Sequence, residues 1–257
     1  MIVLVDSHCH LDAPEFDADR DAVIARARAA GVAAQVIPAI ALAGFGKLRE
    51  LCAGHADLHA AYGLHPMYLA EHRPDHLGAL RDWLERERPV AVGECGLDFF
   101  VEGLDADEQR RYFSGQLGLA REFELPVIVH ARRAVDEVVA AIRRIGGLRG
   151  VVHSFSGSAE QARQLWNLDF MIGLGGPVTY ERANKLRGIV ATMPIEFLLL
   201  ETDAPDQPLA THRGERNEPA HLREIVATVA ALRGGDVADI ARATAANARR
   251  LFALPPT

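Results

Sequence analysis

A chain of 257 residues, 49% hydrophobic and 25% charged, is long enough for one large core and too apolar for disorder. Its 28 Lys and Arg against 35 Asp and Glu leave a formal charge of −7. That balance counts against a long nucleic-acid tracking surface, though not against a small, locally positive or metal-filled pocket. No apolar run approaches the roughly 20 residues of a bilayer span, and the opening stretch Met1–Asp6 lacks a basic n-region. Three sparse cysteines (Cys9, Cys52, Cys95) argue against a disulfide framework. A cytoplasmic protein without a membrane partner is expected.

Short β-branched or aliphatic runs alternate along the chain with longer segments of helical period. Strands are predicted at Ile2–Val5, Ala34–Ile40, Leu58–Gly63, Val90–Gly93, Val127–Val129, Val151–Phe155, Phe170–Leu174 and Phe197–Leu200. Amphipathic helices are predicted at Asp17–Ala30, Leu42–Ala53, Pro74–Glu87, Asp105–Glu124, Arg133–Ile145, Ala159–Asn167, Tyr180–Thr192, Pro219–Leu232 and Asp236–Phe252. Eight strands, each followed by a helix, read as a single (β/α)8 TIM barrel across residues 1–257. A doubly wound sheet would want a Gly-rich phosphate loop after an early strand, and Asp6-Ser-His-Cys-His10 stands there instead.

In barrels of this class the active site lies at the C-terminal strand ends. His8 and His10 follow the first strand, His65-Pro66 the third, Glu94 the fourth, His130 the fifth and His153 the sixth; Glu201-Thr202-Asp203 follows the eighth. Residues i and i+2 of a strand point the same way, so His8 and His10 can grip one cation. A lone strand-end histidine reads equally as a hydrogen-bonded core residue. Four histidines and two carboxylates on one rim are hard to satisfy without a cation.

Two ions fit this set better than one, because six protein ligands on one ion leave no open position. Splitting the set leaves room for a bridging hydroxide. Glu94 is the bridge by elimination, since the only two lysines, Lys47 and Lys185, lie away from strand ends. Asp203 can contact an ion and accept a proton from the nucleophilic water; its bland reading is a helix N-cap. Glu201, one layer deeper, stays outside the ligand set. His65 has no second ligand near it in the sequence and either orients a substrate oxygen or caps a turn. Arg132 and Arg133 could fork a phosphate, although on a helix start at least one should face solvent. Cys9 and Cys95 would point away from the site, as packing residues.

The motifs Asp6-Ser-His-Cys-His-Leu-Asp12, Gly63-Leu-His-Pro66, Gly93-Glu-Cys-Gly-Leu-Asp98, Pro126-Val-Ile-Val-His130, His153-Ser-Phe-Ser-Gly157, Leu200-Glu-Thr-Asp-Ala-Pro205 and His212-Arg-Gly-Glu-Arg-Asn-Glu-Pro219 occur in this order. Together they resemble the TatD family of metal-dependent hydrolases and deoxyribonucleases, within the amidohydrolase-like barrels. The run Ile172–Tyr180 and Asp206 look like its YjjV branch. The resemblance covers nearly the whole chain and implies two divalent ions. By motif, His8, His10 and Asp203 would hold one, His130 and His153 the other, with Glu94 between. Magnesium, manganese or zinc would be the metal, and four imidazoles favour the softer ions over magnesium. The chain departs from the family at Arg133, at Phe99-Phe100-Val101 and at Asp206, positions around the substrate rim.

The expected activity is hydrolysis of a phosphate ester at a DNA 3′ end, in a short oligonucleotide or in a small phosphate ester. Metal-bridged hydroxide would attack, Asp203 would act as general base, and His65 and Arg132 would hold the phosphate. The acidic net charge suits an end-directed enzyme. The alternative within enzymes is hydrolysis of a carbonyl ester, lactone, amide or aminoacyl ester. A non-catalytic metal-bound scaffold is the alternative outside enzymes. No obligate protein partner is evident.

Overall fold

The computed structural model describes residues 2–255, so Met1 and the last two residues of the expected 1–257 domain lie outside the described residues. Eight parallel strands alternate with helices, and the sheet order follows the sequence order from first to eighth. This is the (β/α)8 topology expected from the pattern of apolar runs. The chain divides into two compact units, one of residues 1–37 with 171–257 and one of residues 38–170. Among the described residues no helix is long and apolar enough to cross a membrane.

The first unit holds β1 (Leu4–Asp6), α1 (Arg20–Ala29) and β2 (Val32–Pro38) from the start of the chain. From its end come β7 (Phe170–Leu174), α7 (Asn184–Thr192), β8 (Leu198–Leu200), α8 (Leu222–Arg233) and α9 (Val237–Phe252). β1 pairs with β2, and β7 with β8. The last strand also meets the first: Ser7 N–H and its hydroxyl both donate to Leu200 O at 3.0 Å. A Cβ on Gly173 of β7 would lie 2.7 Å from the Glu201 carboxylate carbon, so only glycine leaves room for that buried acid.

Charge pins the outer layer of this unit. Arg216 donates to both Asp19 carboxylate oxygens at 2.8 Å and to Glu218 at 2.9 Å, and Arg26 forks Glu218 at 2.8 Å. The Arg216 hydrogen bonds hold the Asp19 carboxyl down at about 2, with Arg26 adding to them. A carboxylate whose pKa is depressed on folding stabilises the fold above its unfolded pKa, near 4, and ceases to do so as pH falls through the folded value. Asp19→Asn is therefore expected to lower the urea midpoint at pH 6, by an amount that shrinks between pH 4 and pH 2. A deficit of the same size at pH 6 and pH 2.5 would mean the side chain acts by packing rather than charge.

The second unit holds α2 (Phe45–Ala53), β3 (Leu58–Tyr62), α3 (His76–Glu87), β4 (Ala91–Asp98), α4 (Ala106–Glu122), β5 (Val127–Arg132), α5 (Val135–Ile145), β6 (Gly150–Val152) and α6 (Ala159–Trp166). Strands β3 to β6 pair in parallel, each with the next. All eight residues of β4 are buried, as befits a strand covered on both faces. α5 buries Val135, Val138, Val139 and Ile142, a stripe at i, i+3, i+4 and i+7. α4 starts where Asp105 accepts from Asp107 N and Glu108 N, and α6 opens on a Ser158/Gln161 capping box.

Two differences from the sequence reading matter for function. β4 does not stop at Gly93 but runs to Asp98, because its glycines admit the neighbouring backbone rather than break the strand. A Cβ on Gly96 would lie 2.8 Å from the His130 carbonyl carbon. In the β4–β5 ladder Val92 faces Val127 and Cys95 faces Val129, so β4 carries one extra residue there. That bulge contains Glu94, which therefore lies within the strand and not at its end; bulges re-aim side chains beside functional sites. Likewise β5 continues past His130, making Arg132 its last residue rather than part of a helix start.

Candidate metal centre

In the first unit, β1 and β8 bring together His8, His10 and Asp203. The Nε2 atoms of His8 and His10 are 3.1 Å apart, and Asp203 Oδ1 is 3.4 Å from the first and 3.6 Å from the second. Donors bound at ~2.0–2.2 Å in a tetrahedral array lie about 3.3 Å from one another. The triangle thus has the size of one face of a zinc-like coordination shell. A shared proton could satisfy one of its edges; a cation satisfies all three.

The chain around this triangle is closely held. Asp6 is fully buried and accepts from Thr202 Oγ1 at 2.6 Å, Thr202 N at 3.0 Å and His8 N at 3.2 Å. Burial pushes its pKa up to about 7 against the pull of those hydrogen bonds. Asp203 has φ 55°, a left-handed conformation that non-glycine residues adopt only when their surroundings impose it. Its N–H donates to His8 O at 2.9 Å, its C=O accepts from Asp206 N, and its other carboxylate oxygen takes the Gln207 amide. Asn217, also fully buried, donates to Thr202 O at 2.8 Å and to Asp206 O at 2.9 Å, gathering both arms of the loop that bears Asp203.

In the second unit, one carboxylate oxygen collects three imidazoles. Glu94 Oε1 lies 2.8 Å from His153 Nε2, 2.9 Å from His65 Nε2 and 3.2 Å from His130 Nδ1. His130 Nδ1 is 3.3 Å from His153 Nε2. Glu94, His130 and His153 again form a triangle of coordination-shell size.

His65 is different in kind. Met67 N–H donates to its Nδ1 at 3.1 Å, so the ring proton sits on Nε2 and is aimed at Glu94. Burial carries its pKa down to about 4, leaving a neutral donor at pH 7. In that tautomer the nitrogen facing the Glu94 carboxylate is a donor. The sequence offered it no neighbour; the fold supplies Glu94.

His130 is oriented from behind. Its Nε2 is 2.9 Å from Asp98 Oδ2, while Asp98 Oδ1 accepts from Phe100 N at 2.9 Å and Val101 N at 3.0 Å. Burial acts against ionisation, but the hydrogen bonds from His130, Val101 and Phe100 win and hold the Asp98 carboxyl at about 2. The carboxylate favours the tautomer with the proton on Nε2, which leaves the Nδ1 lone pair facing Glu94 and His153, and such partners sharpen metal affinity where an imidazole binds a metal. Asp98→Asn is expected to weaken zinc binding by roughly 10- to 100-fold in a chelator competition titration. Unchanged affinity would reduce the contact to packing.

Helix α4 anchors two of the strand exits of this unit, those of β3 and β4. Gln109 accepts from Asp98 N at 2.7 Å and donates to Asp98 O at 2.9 Å; Gln116 does the same for Leu64, at 2.7 and 3.0 Å. Both glutamines are buried on the same face of α4, two turns apart at i and i+7. Asp6, Asp98, Thr202, Gln109, Gln116 and Asn217 were given no role from sequence. The only signal available was two amides recurring at helical spacing on an otherwise apolar face.

The family described as TatD related DNase matches residues 5–253. The chain is 41% identical over 254 residues to the uncharacterized metal-dependent hydrolase YjjV of Escherichia coli K12, across 98% of each chain. It is 36% identical over 261 residues to the 3′-5′ ssDNA/RNA exonuclease TatD of Erwinia tasmaniensis, across 98% of this chain and 100% of that one. The crystal structure of YjjV from E. coli K12 matches it with a TM-score of 0.94 at 40% identity, over 99% of this chain and 100% of that one. A phosphotriesterase homology protein of E. coli shares the fold at a TM-score of 0.69 and 13% identity. Sequence and structure thus agree over nearly the full length, and the chain belongs to the TatD family of metal-dependent hydrolases.

Proposed function

We propose that this hydrolase acts through two divalent ions on phosphodiesters at the 3′ ends of DNA or in short oligonucleotides, with residues 1–257 forming a single catalytic domain. His8, His10 and Asp203 would hold one ion, His130 and His153 the other, and Glu94 would bridge them. The observation that carries this reading is the pair of donor triangles, each with edges of coordination-shell length inside its own unit. The substrate class is supported by the relative named as a single-stranded DNA/RNA exonuclease.

Bound there, zinc, manganese or magnesium would supply Lewis acidity: a lowered pKa for water and neutralisation of charge on the phosphoryl oxygens. The protein's own residues do the rest. Asp203 accepts the proton of the attacking water, its position set by the Gln207 contact and by the backbone bond to His8. His65 offers its Nε2–H to an oxygen in the site. The Arg132 guanidinium, exposed at the end of β5, holds a phosphate.

The test is to strip the protein of metal, refill it with manganese, zinc or magnesium, and offer bis-p-nitrophenyl phosphate, a labelled single-stranded DNA and a p-nitrophenyl ester in parallel. Cleavage of both phosphodiesters is the expected result. Cleavage of the ester while phosphodiesters survive every metal would overturn the reading in favour of carbonyl chemistry.

A further inference from the structure

Four large hydrophobic side chains stand exposed among the described residues: Val3, Met67, Tyr68 and Phe100. Three of them follow strand exits of the second unit. Met67 and Tyr68 come directly after His65-Pro66, with the Tyr68 ring 5.7 Å from the His65 ring. Phe100 comes two residues after Asp98 and is 43% exposed. Its backbone N–H is fixed by the same carboxylate that orients His130.

Two cations attend this one ring. The Arg132 guanidinium carbon lies 3.7 Å from the Phe100 ring centroid and that of Arg133 lies 4.7 Å from it. Neither guanidinium is paired with a carboxylate among the described residues. The contrast with the next cation is informative. Arg110 lies over Phe99, yet Glu137 and Asp107, each at 2.8 Å, neutralise it. In a chain of net charge −7, two unneutralised guanidiniums on an exposed phenyl ring are a local exception. Arg133 is held at φ 55°, which turns the chain at the point where the second cation is presented.

The ligand chemistry follows from that combination. A bare phosphate would need the guanidiniums but not the aromatic face; an apolar ester would need neither cation. A nucleotide offers a π-face and a phosphate together, and aromatic platforms flanked by arginine are how single strands are held without base-specific hydrogen bonds.

We infer that Phe100, with Arg132 and Arg133 beside it and much of its ring still exposed, is a stacking platform for the nucleotide next to the scissile one, and that it sets the enzyme's preference for oligonucleotides over small phosphodiesters. The inference rests on the phosphodiesterase reading above. It goes further in assigning substrate discrimination to the β4–α4 loop and the end of β5.

Binding of a fluorescent ten-nucleotide single strand is to be measured by anisotropy in EDTA, at several salt concentrations, for wild type, Phe100→Ala, Phe100→Trp and Arg133→Ala. Phe100→Ala is expected to weaken binding about 10-fold and Phe100→Trp to restore it. Arg133→Ala is expected to flatten the dependence of log Kd on log salt by about 0.7. In kinetics, Phe100→Ala should lower kcat/KM on the oligonucleotide about 10-fold more than on bis-p-nitrophenyl phosphate. Equal losses on the two substrates, or strand binding indifferent to Phe100, would overturn the platform. A wild type that binds the strand through Phe100 yet cleaves no phosphodiester with any metal would leave the platform standing and sink the phosphodiesterase reading instead.

Discussion

Asp203→Asn is expected to lower kcat/KM on bis-p-nitrophenyl phosphate by about 10^3-fold while leaving the fold intact, the scale at which a positioned general base contributes. The substitution is nearly isosteric. The Asp203 backbone keeps its bonds to His8 O and Asp206 N, and an amide can still meet Gln207 after a flip. What disappears is the negative charge beside the His8 and His10 nitrogens and the capacity to take up a proton. Circular dichroism and the melting temperature check the fold; metal analysis separates lost ligation from lost proton transfer. A variant that retains wild-type turnover with its full metal content would remove Asp203 from the chemistry and leave it the structural role of its bland reading, a cap of the chain that follows.

The second large effect is expected at Glu94. Its Oε1 is the common partner of His65, His130 and His153, and no other carboxylate oxygen in this unit meets three imidazoles. Glu94→Gln keeps an acceptor for the His65 Nε2–H, so the site need not collapse. It deletes the negative charge that His65 Nε2, His130 Nδ1 and His153 Nε2 share within 3.2 Å, and with it the carboxylate of the Glu94–His130–His153 triangle. On the two-ion proposal, bound metal is expected to fall to at most one ion per chain and turnover to fall at least about 10^3-fold. Elemental analysis of the purified variant reads the stoichiometry independently of activity. Two ions retained in Glu94→Gln would assign the bridge to another residue.

Both substitutions bear on how the ligand set could be read without a structure. The histidines were legible because each stands at or next to a strand exit, where a polar side chain after a buried apolar run is conspicuous. The spacing of His8 and His10 predicts one strand face; β1 instead ends at Asp6, and the segment beyond it places their Nε2 atoms 3.1 Å apart. Glu94 was legible as a lone acid inside an apolar strand motif, but its depth was misjudged. Gly93 and Gly96 look like strand breakers in sequence, yet they admit the neighbouring backbone and the strand runs on to Asp98. Spacing could not have revealed the extra residue that re-aims Glu94, since a bulge exists only relative to the strand it pairs with.

The same limit explains His65, which seemed isolated. Glu94 is 29 residues away along the chain and 2.9 Å away in space, and the turn at Met67 decides which ring nitrogen carries the proton. Asp98 and Asn217 were read as parts of motifs without duties. Their partners, His130 for the one and Thr202 and Asp206 for the other, are fixed only when separate strands or loops come together.

By itself, then, the sequence determined the succession of eight buried strands and amphipathic helices, the family, and the kinds of side chain that meet a metal. Those follow from local hydrophobic period and from residue types at strand exits, both written along a single segment. The tertiary structure alone decided which nitrogen of each histidine points at which oxygen. It also decided that Glu94 serves three imidazoles, that α4 holds Leu64 beside His65 and Asp98 behind His130, and that Asn217 gathers the loop that bears Asp203. These are properties of pairs distant in the chain: periodicity encodes how much of a residue is buried, not what it is buried against.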